Sequence, residues 1–227
     1  MQQPTVLFDI NETVLNLNSL RPKFHQYLGD ESHMDTWFAM LLHSSTVCLA
    51  TSVNTNFKRL SQEALLILAG RLNKTLTDEE CDDVLSTFAS LSAHSDVVPA
   101  LESLRSAGFN VVALSNSSQA LLDAQLTNAG VIELFDRVIS VESAGTFKPA
   151  PEAYHYALAE LSVSGENTYL IATHDWDTHG ALCAGLNAAF INRFNAPYNA
   201  LYRKPDIVGS TMTSIVEKII AHAQSSH

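Results

Sequence analysis

Four stretches of the chain end an apolar run on side chains that can do chemistry. Val6-Leu7-Phe8 stops at Asp9, with Glu12 and Thr13 in the following turn. A second run ends on Ser115 and Asn116, a third is followed by Lys148, and Leu170-Ile171-Ala172 ends on Thr173 and His174 with Asp177 close behind. Together they offer a carboxylate, an amide with a hydroxyl, an ammonium, and an imidazole with a second carboxylate. That set suits covalent catalysis by a carboxylate: the anion attacks, the ammonium keeps it ionised, and the imidazole moves a proton. The plainer reading is that strand ends meet loops and are polar for that reason alone. Four ends that deliver complementary groups favour a common site.

A common site needs elements that bring these residues together. Strands are expected at residues 5–9 and within "FNVVALSNSS", "FDRVISVESAG", "TYLIATHDWD", "NAAFINR" and "DIVG". Beyond Asp96 they alternate with helices in "VPALESLRSAG", "QALLDAQLTNAG", "APEAYHYALAEL", "THGALCAGL" and "TSIVEKIIAHAQ". Strand and helix alternating over short loops predict an α/β fold, a doubly wound, Rossmann-like parallel sheet, which collects ligands at the carboxyl ends of its strands. A block of helical pattern interrupts this order directly after the first strand, with helices expected at 34–50, 59–73 and 77–91. The last opens on a capping box of Thr77 and Glu80. Because a strand precedes the block, it reads as an inserted helical cap over 15–94, with a core of 1–14 and 95–227.

Bulk properties narrow the function. The net charge of -11 leaves no basic stripe for nucleic acid, and an anionic ligand would need local cations or amides to overcome the overall field. Cys48, Cys81 and Cys183 are odd in number and far apart, which fits a reducing compartment better than a disulfide framework. No basic-then-apolar leader and no long apolar run is visible, so a cytoplasmic protein without membrane contact is expected.

The motifs "FDINETVLN", "LSNSS", "FKPAPEAY" and "ATHDWDTHGA", in that order and with an inserted block after the first, resemble the haloacid dehalogenase superfamily. Lys148 followed by Tyr154, and Trp176-Asp177 ahead of a small-residue helix, look most like the (S)-2-haloacid dehalogenase branch. The resemblance implies a nucleophilic Asp9, Ser115 and backbone amides for a substrate carboxylate, Lys148 beside the nucleophile, and Asp177 fixing Lys148 or His174 unless it serves as a helix cap. It also implies a homodimer and no cofactor.

Phosphate transfer is the competing chemistry of that superfamily. Its phosphatases resemble one another in placing a second aspartate two residues after the nucleophile, where it protonates the leaving oxygen. This chain has Asn11 there. A magnesium-binding acid is expected four residues before Asp177, and Thr173 stands in its place; Asp175 could substitute. Both departures favour halide, a leaving group that needs no proton. A catalytically weak relative that binds a small carboxylate is the non-enzymatic alternative. Dehalogenases of this type usually have Gly at the position of Glu12 and Asn at that of His174. A Glu12–His174 dyad that activates water against an Asp9 ester is therefore expected, with Thr13 steadying Asp9.

The cap should cover the site, with Trp37, Phe38, Leu41, Leu42 and Phe57 lining an apolar pocket, Ile10 and Tyr154 joining the substrate contacts, and Trp176 as a wall; plain core is the alternative for the aromatics. The family's halide-binding arginine falls at Phe38 here. That leaves Asn116 as a halide donor, with His43 or Arg59 as further options. His25, His33, His94, His155, His222 and His227 read as surface residues, and His179 as one turn away from the site. The expected partner is a small halogenated carboxylic acid.

Overall fold

The computed structural model describes residues 3–225. In chain order, β1 (Thr5–Phe8) leads into β2 (Leu15–Asn16), α1 (Arg21–Leu28), α2 (His33–Ala50), α3 (Phe57–Arg71), α4 (Asp78–Ala89) and β3 (Ser92–Ala93). The alternating part follows as α5 (Val97–Ser106), β4 (Asn110–Ser115), α6 (Gln119–Asn128), β5 (Arg137–Ser140), α7 (Pro151–Leu161), β6 (Thr168–Ala172), α8 (Asp175–Cys183), β7 (Asn187–Ile191), β8 (Ile207–Gly209) and α9 (Met212–Ser225).

The expected α/β sheet is present, six strands in the order β5-β4-β1-β6-β7-β8 and all parallel. Its side chains divide by the two-residue period of a strand. Val6, Phe8, Val111, Ala113 and Ile171 face α5 and α9. Leu7, Val112, Leu114, Leu170 and Ala172 face α7 and α8. With β1 between β4 and β6, in the register Phe8↔Ala113 and Phe8↔Ile171, the chain emerging from β1 at Asp9 lies between the ends of its two neighbours. This is the placement the carboxyl-end rule requires.

The helical block contains the expected helices and one more, α1, which starts on an Arg21-Pro22 pair suited to a first turn. The capping box forms: Thr77 accepts from the Glu80 amide and Glu80 from the Thr77 amide. Both chain crossings into and out of the block run through a two-strand antiparallel pair, Leu15↔Ala93 and Asn16↔Ser92, which the sequence did not announce because each strand is two residues long. Buried side chains of the block continue without a break into those under one sheet face, from Phe24, Trp37 and Phe88 to Val97 and Phe8. One further boundary differs: α8 begins at Asp175, so Trp176 and Asp177 lie in its first turn. No helix among the described residues is long and apolar enough to cross a membrane.

Candidate active site

Asp9 is buried where β1 ends, and each of its oxygens is held. Oδ1 accepts from Lys148 Nζ at 2.9 Å; Oδ2 accepts from Thr13 Oγ1 at 2.7 Å and meets His174 Nδ1 at 3.2 Å. Thr13 is itself locked, because its hydroxyl accepts the Thr173 amide at 2.9 Å. Lys148 spends all three ammonium protons on Asp9, on Asp177 Oδ2 at 2.6 Å and on the Leu114 carbonyl at 3.0 Å. Burial would raise the Asp9 carboxyl, but Lys148 and His174, with Thr13, hold it well below the usual carboxylate range. Asp9 is therefore an anion at neutral pH.

His174 is the N-cap residue of α8 and bridges two carboxylates: Nδ1 faces Asp9 and Nε2 faces Glu12 Oε2 at 2.8 Å. Burial opposes charge on the ring, yet hydrogen bonds to Asp9 and Glu12 prevail and push its pKa up to about 10. Trp176 stacks on the ring at 5.2 Å and Phe38 lies on it at 6.0 Å, contacts that favour a cation. The expected Glu12–His174 pair is thus in contact, but the resting ring is an imidazolium engaged at both nitrogens, not a free base. Phe38 sits against this charge, and an arginine in its place would oppose it. Because the folded pKa exceeds the unfolded value of 6.5, the His174 contribution to stability is full below pH ~6.5 and is lost as pH rises through about 10. Thermal melts should show the gap between the protein and a His174→Gln variant shrinking from pH 6 to pH 10.

The remaining predicted residues divide between the site and its supports. Asp177 does fix Lys148, and burial lifts its pKa while Lys148 pulls it down. Tyr154 is not a substrate-lining residue: it is fully buried behind the site and donates to Asp177 Oδ1 at 2.5 Å. Gly180 makes room for it, since a Cβ there would stand 2.6 Å from the Tyr154 hydroxyl. Asn116 is buried and serves the backbone of Lys148. Its Oδ1 accepts from the Lys148 amide at 2.8 Å and its Nδ2 donates to the Lys148 carbonyl at 3.4 Å, so it clamps the backbone that carries Lys148. Ser115 lies beside the site and its hydroxyl accepts from the Ser117 amide at 3.1 Å. Ile10 is buried, and its carbonyl accepts from Val14 and Leu15 to close the turn after Asp9. Trp37 and Phe57 are core, not pocket: Trp37 donates to the Ser61 carbonyl and packs on Phe24 and Phe88, and Phe57 is buried at the start of α3.

Trp176 and Lys148 line a cavity of about 380 Å³ between α2 and the core, together with Leu42, His43 and Tyr202. Arg59, the other cap cation considered, lines a separate cavity with Glu142 and Phe147. Asn11 bridges elements: its Nδ2 donates to Ser117 Oγ and its Oδ1 accepts from Gln125, which also donates to the Phe88 carbonyl of α4. The Asp175 carboxylate accepts from the Asn199 amide at 3.3 Å. Cys183 is exposed and Cys48 half-buried; Cys81 alone is buried.

Three residues around the site escaped the sequence reading. His94, expected at the surface, is half-buried and bonds the Glu12 carbonyl at 3.0 Å. Arg193 donates to the Thr13 carbonyl at 2.9 Å and grips Asp96. Arg193 follows the end of β7, so the strand-end rule applied to a fifth strand would have singled it out.

The profile of a hydrolase family described as haloacid dehalogenase-like hydrolase matches residues 4–185. (S)-2-haloacid dehalogenase 1 of Pseudomonas sp. strain CBS-3 is 30% identical over 196 residues, covering 84% of this chain and 85% of the relative. (S)-2-haloacid dehalogenase 2 of the same strain is 26% identical over 213 residues, covering 92% and 93%. The L-2-haloacid dehalogenase structure from Xanthobacter autotrophicus superposes with a TM-score of 0.88 at 22% identity, over 96% of this chain and 98% of that one, a likeness of fold.

Proposed function

The chain belongs to the haloacid dehalogenase-like hydrolases, and from that membership and the Asp9 geometry we propose that it hydrolyses the carbon–halide bond of short 2-haloalkanoic acids to give 2-hydroxy acids. The observation that carries this reading is the ionised Asp9 held by Lys148, Thr13 and His174 in a site whose next polar position, Asn11, is a tethered amide with no proton for an alcohol leaving group.

In the first step an Asp9 oxygen attacks C2 from behind the halogen. The new C–O bond forms as the C–X bond breaks and halide departs with its electron pair. Oδ1 is the attacking atom in this reading, because Oδ2 already accepts two hydrogen bonds and Oδ1 one. Ser115 and neighbouring backbone amides hold the substrate carboxylate, and residues 15–94 act as a cap over a core formed by 1–14 and 95–227. Trp176 and Leu42 supply the apolar wall.

Ester formation removes the negative charge of Asp9, one of the two anions that keep His174 protonated. The ring then releases its Nδ1 proton to solvent and keeps its Nε2 proton, which it donates to Glu12. Neutral His174 takes a proton from a water that attacks the Asp9 carbonyl carbon. The tetrahedral intermediate expels the product oxygen, which recovers a proton from the regenerated Asp9 carboxyl, and His174 ends as the imidazolium it was at the start. Overall, haloacid and water give hydroxy acid, halide and one proton.

Halide release is the direct test. With 2-chloropropionate and 2-bromopropionate, halide and 2-hydroxypropionate should appear in equal amounts. Release of phosphate from phosphate monoesters in the presence of magnesium, with no halide released from either acid, would replace this reading by a phosphatase.

A further inference from the structure

The turn that carries Glu12 and Thr13 is fastened at three consecutive carbonyls. Glu12 O meets His94 Nε2 at 3.0 Å, Thr13 O accepts from Arg193 Nε at 2.9 Å, and Val14 O accepts from the His94 amide at 2.9 Å. The fasteners are themselves anchored. Arg193 forms a two-pronged pair with Asp96 at 3.1 and 3.2 Å, and Asp96 Oδ2 also accepts the Met212 amide at 2.7 Å where α9 begins. His94 and Asp96 directly follow β3, the strand by which the helical block returns to the sheet.

Glu12 needs this support. Its φ is 64°, a left-handed conformation that costs a residue with a side chain on the order of 1 kcal/mol or more unless its surroundings impose it. Rotation back to negative φ would swing the carboxylate off His174 Nε2, where it now sits at 2.8 Å. Each bond on the next carbonyls opposes that rotation. The carbonyl of Glu12 can only accept, so the His94 ring carries its proton on Nε2. Burial and the nearby Arg193 lower the His94 pKa, which keeps the ring neutral in that tautomer.

We propose that His94, Arg193 and Asp96 are positioning residues for ester hydrolysis: they hold Glu12 in its left-handed conformation and so align its carboxylate with His174. The proposal rests on the dyad reading above. It places the control of the second chemical step at the seam where the helical block rejoins the sheet, and predicts that the first step is spared, since the side chains that hold Asp9 and Lys148 are those of Thr13, His174 and Asp177 and of none of these three residues.

The test separates the two steps in single-turnover reactions with 2-chloropropionate, following halide release and, by intact-protein mass, decay of the ester. His94→Ala should release the first halide within about twofold of the unaltered rate, while ester decay slows by roughly tenfold. His94→Gln, whose side-chain amide can donate to the Glu12 carbonyl, should restore most of that decay. Arg193→Lys keeps the charge but cannot reach Thr13 O and both Asp96 oxygens, and should slow decay in the same way; it carries the test if His94→Ala does not fold. His174→Ala is run beside them. Ester trapped in His174→Ala but decaying normally in His94→Ala and Arg193→Lys overturns this inference alone. No ester in His174→Ala, with turnover intact, overturns the dyad reading and this proposal with it. Equal loss of both steps in His94→Ala, without recovery in His94→Gln, would reduce His94 to a purely structural residue and also overturns the proposal.

Discussion

Asp9→Asn will lower halide release by about 10⁴-fold or more while leaving the protein folded. The asparagine keeps the shape of the side chain and an oxygen that can accept from Thr13 or Lys148, so the hydrogen-bonded frame at the end of β1 survives. What disappears is the anionic oxygen that attacks carbon in the proposed mechanism. Lys148 retains Asp177 as a counter-ion at 2.6 Å, so no buried charge is left without a partner. A neutral amide also fails to hold His174 as an imidazolium as well as the carboxylate does, so the His174 pKa should fall in this variant. Steady-state halide release together with a thermal melt checks both halves. Activity within tenfold of the unaltered protein would remove Asp9 from the chemistry.

Lys148→Met is the substitution expected to damage stability and activity together. The ammonium is buried and lies between the carboxylates of Asp9 and Asp177. Methionine fills much of the stem's volume but leaves two buried carboxylates facing each other. Breaking a buried pair in this way costs about 3–5 kcal/mol, or roughly 10 °C in Tm for a chain of this size. The two acids would then share a proton, which raises the Asp9 pKa and removes its nucleophilic form at neutral pH. Adding Asp177→Asn to Lys148→Met should recover part of the lost stability, because one unpaired charge is gone, and none of the halide release. Recovery of both together would mean that Lys148 serves the fold alone.

Much of this site could be read from the sequence because it follows from periodicity and from where strands end. The alternation after Asp96 fixed which residues would emerge on one edge, and β1 next to β6 brought Glu12 to His174 as expected. The misreadings concern what lies behind the edge. Tyr154 and Asn116 belong to strand-end motifs, yet the Tyr154 hydroxyl is taken by Asp177 and the Asn116 side chain also clamps the Lys148 backbone. Trp37 and Phe57 show an amphipathic pattern that a core face and a pocket wall share, and only the packing of α2 on Ser61, Phe24 and Phe88 separates the two. His94 and Arg193 act through the carbonyls of Glu12 and Thr13, far away in sequence, and Asp96 acts by holding Arg193; strand-end placement points to Arg193, but no spacing rule encodes the contacts of His94 and Asp96. The charge state of His174 was equally hidden: one carboxylate beside it was foreseen, and the second, Asp9 itself, reverses its resting role.

The proposed ester on Asp9, cleared by His174 and Glu12, is open to direct observation in the intact mass of His174→Ala after reaction with 2-chloropropionate. One carboxyethyl adduct per chain is expected, located on the peptide that contains Asp9, formed together with one equivalent of halide and persisting after excess acid is removed. Continued turnover with no adduct on that peptide would contradict the proposal.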